Sequence, residues 1–469
     1  MAPIRVPVRL RRLLAVAPVL LGCVLPPAAV IVAVGQAGFM PPLAVHFYAV
    51  GVSALAATVA AVVLTTAGVR AQDGRTVVVG GGFSVMAALL SVHGLVTPGV
   101  VVGSNGVVAL TGGATLPVGA AVLALSGVRR LVDPRAIPRV IALCAALAAL
   151  VVVVSVVGIL VPRLVPPVPA AGSPAALALL VVGGALFAGL GARAANTFLL
   201  THRFADLAVV FGLAVLGVSL YCALILDFTY LGWWIGHGFE LLGITVIGGS
   251  TAYDLRRGRG SQTLSGTLRA GDIVQAEEAF LGARVRALML RLAEKDVSTE
   301  EHTRRVAALA VDVGERLGLS PSRLRVLATG ALLHDIGKLS IPDSILKKPG
   351  SLDDDEYAEI KQHPERGAEL LSQLGGFDDD VKRLVLAHHE RLDGSGYPFA
   401  LRADDLDLET RILAVCDVYD ALVSPRVYRD AWSQADAIDL LRRESRTSFD
   451  ERCVTALVRS VSAPLAVAV

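Results

Sequence analysis

Residues 1–255 of this 469-residue chain contain a single glutamate, Glu240, and no lysine, whereas Lys295, Lys338, Lys347, Lys348, Lys361 and Lys382 all follow residue 290. A surface so poor in charge is not that of a water-soluble domain. The first part therefore reads as a polytopic membrane region and the second as a domain written for water. Whole-chain values (54% hydrophobic, mean hydropathy +0.63, net charge +2) average two unlike parts and say little about partners. Neither DNA nor RNA is an expected partner. Cys23, Cys144, Cys222, Cys416 and Cys453 are scattered without a CxxC pair. That argues against a disulfide framework or zinc knot and for a soluble part facing a reducing cytoplasm.

Eight apolar runs are long enough to cross ~30 Å of hydrocarbon at roughly 20 residues each. They lie near 13–34, 43–67, 76–97, 106–127, 139–161, 174–193, 204–226 and 231–252. Arg5, Arg9, Arg11 and Arg12 precede the first run, which is too long for a signal-peptide core and is followed by others, so an uncleaved first helix is expected. With the N-terminus inside, eight crossings leave only Arg163 outside. Arg70, Arg75, Arg129, Arg130, Arg135, Arg139, Arg193, Arg203, Arg256, Arg257 and Arg259 then fall on the cytoplasmic side. That asymmetry favours eight spans over seven and puts both termini in the cytoplasm. His237 and Glu240, three apart beside Trp233 and Trp234, are open to a functional reading or to that of a satisfied polar pair near the interface. The external loops are too short for a sensory domain, so any signal is small, lipid-borne or carried by membrane state.

Three segments follow: 1–255, the membrane region; 256–282, a juxtamembrane linker and signalling helix; and 283–462, an all-α domain. Ile273, Ala276, Phe280, Leu281, Val285, Leu288 and Leu292 recur at helical steps. This amphipathic stretch either packs on the domain after it or pairs with its twin in a homodimer. Beyond it the pattern stays helical, broken by turn signals at 318–322, 349–353, 375–378 and 393–398.

Five of the nine histidines fall in this domain: His302, His334, His363, His388 and His389. Asp335 adjoins His334, Glu390 follows His389, and Asp417 lies inside the apolar run RILAVCDVYDAL, where an unpaired carboxylate is costly. Any one of these histidines alone would be a packing or capping residue. Five with two aspartates, on successive helices of one bundle, point to a metal centre of imidazole and carboxylate, chemistry suited to Fe, Mn or Zn.

The domain resembles the HD-GYP family, a branch of the HD metal-dependent phosphohydrolases. His334-Asp335-Ile336-Gly337-Lys338 matches the HD motif with its lysine. His388-His389-Glu390-Arg391 and Asp393-Gly394-Ser395-Gly396-Tyr397-Pro398 match the motif that names the family. His363-Pro364, Gly367, Asp417, Asp420-Ala421, Arg426 and Tyr428-Arg429 complete the order, with Asp296, Thr299, His302 and Arg305 upstream. The resemblance implies one metal on His302, His334, Asp335 and Asp417, with Asp335 bridging to a second on His363, His388 and His389. Ser298 stands where some members carry a third-metal glutamate, so two divalent ions, Fe or Mn, are expected. Asp335 and Lys338 are the expected catalytic residues, and Lys338, Arg426 and Arg429 the expected phosphate contacts. The implied substrate is cyclic di-GMP, opened to pGpG or cut on to GMP. Arg426-Val427-Tyr428-Arg429 departs from the family's RPYR, and Cys416 stands where alanine is usual. The DGSGYP stretch is open to being a lid or a docking surface for a partner protein. Three other readings compete: an HD enzyme for another nucleotide such as a cyclic GMP-AMP, a non-catalytic dinucleotide receptor, and a transporter regulated by its tail. Retention of every expected ligand speaks against the receptor, and the absence of an internal repeat against the transporter.

Overall fold

The computed structural model describes residues 8–99, 102–128, 130–131, 133–166, 169–256, 264, 270–295, 297–348, 350–425 and 430–462; the side chains of 8–13 and 297–300 are not described. Among these residues the secondary structure is helical throughout, with no strand beyond isolated bridges. The described residues fall into two compact units, divided at Thr267–Leu268.

The first unit contains α1 (Val8–Val34), α2 (Leu43–Arg70), α3 (Gly74–Leu95), α4 (Val107–Ala124), α5 (Ile137–Leu160), α6 (Pro174–Thr201), α7 (Phe204–Ile225) and α8 (Leu231–Arg256). Each falls on one of the eight expected apolar runs. Their ends follow local chemistry: the Asp73 carboxylate accepts from Arg75 N at 3.1 Å to start α3, and Ser173 caps α6 before Pro174. The largest departure is α6, which continues past Arg193 to Thr201 and stops where His202 turns left-handed at φ 48°. Arg193, a good helix former, stays within α6, and its guanidinium donates to Ala124 O rather than standing free. Helices α1 to α7 are long and apolar enough to cross a membrane. Helix α8 is as long but less apolar, carrying His237 and Glu240. On α5, Leu143, Leu150, Val152, Val153, Val156 and Leu160 are exposed, an apolar face too broad for contact with water. The unit is compatible with a multi-pass membrane protein.

The second unit begins with α9 (Ala270–Phe280) and α10 (Ala283–Lys295). The stretch 273–292, read as one amphipathic helix, is thus two, broken at Leu281–Gly282. Helix α9 buries Ile273, Val274 and Glu277 and packs on α11 (Val297–Arg316) and α12 (Pro321–Leu333). Glu277 accepts from Arg325 Nε at 2.5 Å and Thr329 Oγ1 at 3.0 Å. Next come α13 (Asp343–Leu346), α14 (Asp354–Ile360), α15 (His363–Leu374), α16 (Asp379–Ala387), α17 (Leu408–Val423), α18 (Gln434–Arg443) and α19 (Glu451–Ser462). Val306, Ala310 and Val313 of α11, Leu327 and Ala331 of α12, Leu384 of α16 and Ile412 and Val415 of α17 form a fully buried core. Arg323 ties the starts of three helices, donating to Asp380 and to the buried Glu409 and lying 3.9 Å from Asp407. Arg323→Met leaves Glu409 buried without its partner and is expected to cost about 3 kcal/mol in denaturant unfolding.

At the far end of the bundle Asp450 accepts from Arg411 Nη1 at 2.9 Å and from Arg452 N at 2.8 Å, starting α19. Burial alone would raise its pKa, but Arg411 and the backbone N–H groups hold it below the ordinary value. A depressed carboxylate contributes stability above its unfolded pKa and loses it as pH falls through the folded one. Asp450→Asn is therefore expected to destabilise by about 1 kcal/mol at pH 7 and by little at pH 3, in unfolding curves at both values.

Candidate metal centre

Three of the histidines sit where helices begin or end, and that placement fixes their chemistry. His334 ends α12, His363 opens α15 just after α14, and His388 ends α16. The last carbonyls of a helix lack intrahelical partners. Each ring takes one: Nδ1 lies 2.7 Å from Ala331 O for His334, 2.8 Å from Ile360 O for His363 and 2.7 Å from Val385 O for His388. A carbonyl only accepts, so Nδ1 carries the proton and Nε2 keeps its lone pair, as a metal-ligating imidazole requires.

Two of these Nε2 atoms face Asp335. Its Oδ2 is 3.5 Å from His334 Nε2 and its Oδ1 3.4 Å from His363 Nε2, so the two carboxylate oxygens face two histidine groups. On one side His302, from the second turn of α11, places Nε2 3.1 Å from Asp417 Oδ1, which is 3.8 Å from His334 Nε2. On the other side His363 Nε2 is 3.2 Å from His388 Nε2, and His389 joins them, its Nδ1 3.9 Å from Asp417 Oδ2. His302, His334 and Asp335 form one group whose donor atoms lie within 4.8 Å of each other, and His363, His388 and His389 a second. Lys338, on the 3-10 turn Ile336–Ser340, donates to Asp335 Oδ2 at 2.7 Å. Gly337 makes room for this: a Cβ there would stand 2.0 Å from His363 O and 2.6 Å from Gly367 N.

The electrostatics suit a cation. Burial would raise the Asp335 carboxyl, but Lys338, His334, His363 and His302 hold it well below the usual range. Burial likewise opposes ionisation of Asp417, and the bond from His302 with the charges around it wins. Burial pushes His363 down to about 4 and His389 to about 3, so both are neutral near pH 7. His302 differs: burial lowers it, yet Asp417 and Asp420 raise it to about 9. Its imidazolium stands between two carboxylates, where a cation would balance the same charge. His334 Nε2 is buried with no hydrogen-bond partner, a vacancy that costs roughly 1–3 kcal/mol unless a ligand uses it. An orphaned imidazole lone pair among anionic oxygens fits a divalent metal ion.

The structure thus brings His302, His334, Asp335, Lys338, His363, His388, His389 and Asp417 to one place. Arg426 and Arg429, with residues 427 and 428, lie outside the described residues, as does the Ser298 side chain. Two outer groups have roles that the sequence reading did not assign. Asp420, one turn after Asp417 on α17, accepts from His302 Nδ1 at 2.7 Å and is held by Arg305 at 2.8 and 3.0 Å. The spacing of Asp417 and Asp420, matched by His302 and Arg305, was the available signal: i,i+3 pairs share a helix face. Asp420→Asn is expected to lower metal affinity 10- to 100-fold, read by metal titration. Glu390, read as a neighbouring carboxylate of the centre, instead turns away: Oε1 accepts from Phe399 N at 2.7 Å and Oε2 from Leu401 N at 2.9 Å. It pins the loop that lays Tyr397 over His389, ring centroids 4.7 Å apart. Gly396 lets that loop close, since a Cβ there would lie 2.4 Å from Glu390 Cα.

Residues 286–453 match the HD domain family. The cyclic di-GMP phosphodiesterase response regulator RpfG of Xanthomonas campestris pv. campestris is 45% identical over 189 residues, 40% of this chain and 49% of that protein. Cyclic di-GMP phosphodiesterase PA4108 of Pseudomonas aeruginosa is 39% identical over 197 residues, 42% of this chain and 47% of its own. The 3'3'-cGAMP-specific phosphodiesterase 3 of Vibrio cholerae is 34% identical over 186 residues, 40% of each chain. This chain therefore spans half or less of the length of the curated relatives it matches. The C-terminal region is an HD domain. Its HD and GYP motifs and these relatives place it in the HD-GYP family.

Proposed function

We propose that this chain is a membrane-anchored, metal-dependent phosphodiesterase that hydrolyses cyclic di-GMP to pGpG or on to GMP. The observation that carries the proposal is Asp335, whose two oxygens face two separate histidine groups. His302, His334, Asp335 and Asp417 would hold one divalent ion, and His363, His388, His389 and Asp335 the other, Fe or Mn. Bound there, such ions supply Lewis acidity and a water acidified enough to serve as nucleophile near neutral pH. The protein's own part is to fix geometry and exclude bulk water: His334, Asp335, His363 and His388 are almost wholly buried. Lys338 is positioned to exchange its bond to Asp335 for one to a phosphate oxygen. Arg426 and Arg429 are assigned to the remaining phosphate charge, a task suited to the bidentate guanidinium.

The membrane region anchors the enzyme in lipid, with both termini cytoplasmic, and passes a signal to it. Because α9 spends Ile273 and Val274 within its own chain, a homodimer would use what α9 and α10 leave exposed, Phe280 and Leu290. Phe280→Ser with Leu290→Ser is then expected to halve the mass of the detergent-solubilised protein in light scattering. An unchanged mass removes the dimer. The 391–402 loop is offered as the site of a partner protein.

The substrate is tested by incubating the full chain in detergent, Mn-loaded without oxygen, with cyclic di-GMP and 3'3'-cGAMP side by side. Faster loss of cyclic di-GMP supports the proposal. Preference for 3'3'-cGAMP, the substrate named for the Vibrio relative, would reassign the substrate and keep the reaction.

A further inference from the structure

The membrane unit holds a second cluster of histidines, assembled from three helices. The turn between α1 and α2 pairs with the turn between α7 and α8: Phe39 N donates to Thr229 O at 2.8 Å, Leu231 N to Ala37 O at 2.8 Å and Gly232 N to Gly35 O at 3.0 Å. This brings the starts of α2 and α8 to the same end of the unit. Helix α3 runs back against α2, so its last turn arrives there too. His46 on the first turn of α2, His93 on the last of α3 and His237 on the second of α8 thereby meet. One nitrogen from each lies within 4.8 Å of the others.

Their hydrogen bonds leave lone pairs facing inward. His93 Nδ1 is 2.7 Å from Val108 O, so it carries the proton, and Nε2 is free as an acceptor. That Nε2 lies 3.2 Å from His46 Nε2. Two imidazoles bound at 2.0–2.1 Å to one tetrahedral ion stand about 3.3 Å apart, nearly the same spacing. Glu240, one turn beyond His237 and 5% exposed, brings a carboxylate whose Oε2 is 3.4 Å from His237 Nδ1, long for a hydrogen bond. A carboxylate buried in a membrane unit is costly, so it marks a candidate ion site with its partner His237. Trp233 and Trp234 wall the cluster, Trp233 with its centroid 4.5 Å from that of His237 and 5.2 Å from that of His46. The His46–His93 hydrogen bond and the longer His237–Glu240 contact join these groups two by two, whereas one ion would engage all three imidazoles at once.

We propose that His46, His93 and His237, with Glu240, bind a first-row transition-metal cation in the membrane unit, separate from the HD centre. Three imidazoles and one carboxylate suit Zn(II), Cu(II) or Fe(II) rather than Mg or Ca. The inference is independent of the phosphodiesterase proposal, since it shares no residue with that centre.

The test uses the full chain in detergent and Co(II) as the probe. Co(II) held by His46 and His237 would lie a few ångströms from Trp233 and Trp234 and quench them, while Trp432 belongs to the other unit. Wild type is expected to lose a fraction of its tryptophan fluorescence on Co(II) titration and to retain one more equivalent of metal after desalting than His93→Gln. Glu240→Gln, which leaves the three imidazoles in place, is expected to weaken the quenching titration at least 10-fold. Size-exclusion profiles matched to wild type show which variants are folded, and His46→Gln serves if His93→Gln aggregates. Equal metal content and no tryptophan quenching in folded wild type would overturn the proposal and leave a hydrogen-bonded polar cluster.

Discussion

Asp335→Asn is expected to reduce kcat/KM for cyclic di-GMP at least 1000-fold, about 4 kcal/mol at 1.4 kcal/mol per factor of ten. The two Asp335 oxygens face His334 Nε2 at 3.5 Å and His363 Nε2 at 3.4 Å, so the amide replaces one anionic oxygen with a donor directed at one of the two histidine groups. It also removes the acceptor of the Lys338 ammonium if the amide turns its nitrogen that way. The variant keeps the volume of the side chain, so the buried core around α12 should stay packed. Metal analysis of the purified full chain checks the cause: the variant should carry at least one equivalent less than wild type. Normal metal content with normal turnover would remove Asp335 from the centre of the account.

Gly337→Ala should do comparable damage by a different route. The added methyl would stand 2.0 Å from His363 O and 2.6 Å from Gly367 N, both backbone atoms that no side-chain rotation can move aside. The 3-10 turn carrying Lys338 must then separate from α15, which carries His363, and the distance between the two histidine groups changes with it. Overpacking a tight contact costs about 1–3 kcal/mol, and a backbone clash lies at the upper end. Roughly 3 kcal/mol corresponds to a fall of about 10 °C in the melting of a domain this size. Differential scanning fluorimetry of wild type and variant, each with and without Mn, separates the two consequences. A lower Tm that Mn no longer raises is the expected result.

Glu390→Ala tests the loop. The Phe399 and Leu401 N–H groups, half-buried in the loop, lose the buried carboxylate that accepts from them, for about 1–2 kcal/mol of local stability. Proteolytic cleavage within 391–402 should become faster while the rest of the helical bundle stays intact.

Much of this was written plainly in the sequence. The apolar runs located all eight helices of the first unit because charge is so scarce there that each turn stands out. The residues that meet at the candidate metal centre were legible because His334-Asp335 and His388-His389 are pairs that a helical domain has little structural use for. What was not legible depends on tertiary contacts. Arg193 looked like a helix end and is not: it stays within α6, and its guanidinium finds Ala124 O. The amphipathic periodicity across 273–292 did not reveal the break at Gly282, since both helices keep their apolar faces in phase with it. Glu390 was visible only as the neighbour of His389, and its part in holding the 391–402 loop depends on where the turn after α16 points it. The meeting of His46, His93 and His237 needed the pairing of two turns nearly 200 residues apart, which no local pattern encodes.

The most direct test of the central claim is turnover of cyclic di-GMP by the full chain in lipid nanodiscs, stripped of metal and then reloaded with Mn or Fe under anaerobic conditions. The account predicts no hydrolysis when stripped, hydrolysis restored by reloading, and none in Asp335→Asn under either condition. Folded, metal-loaded wild type that binds the dinucleotide and never cleaves it would contradict the account and make the protein a receptor.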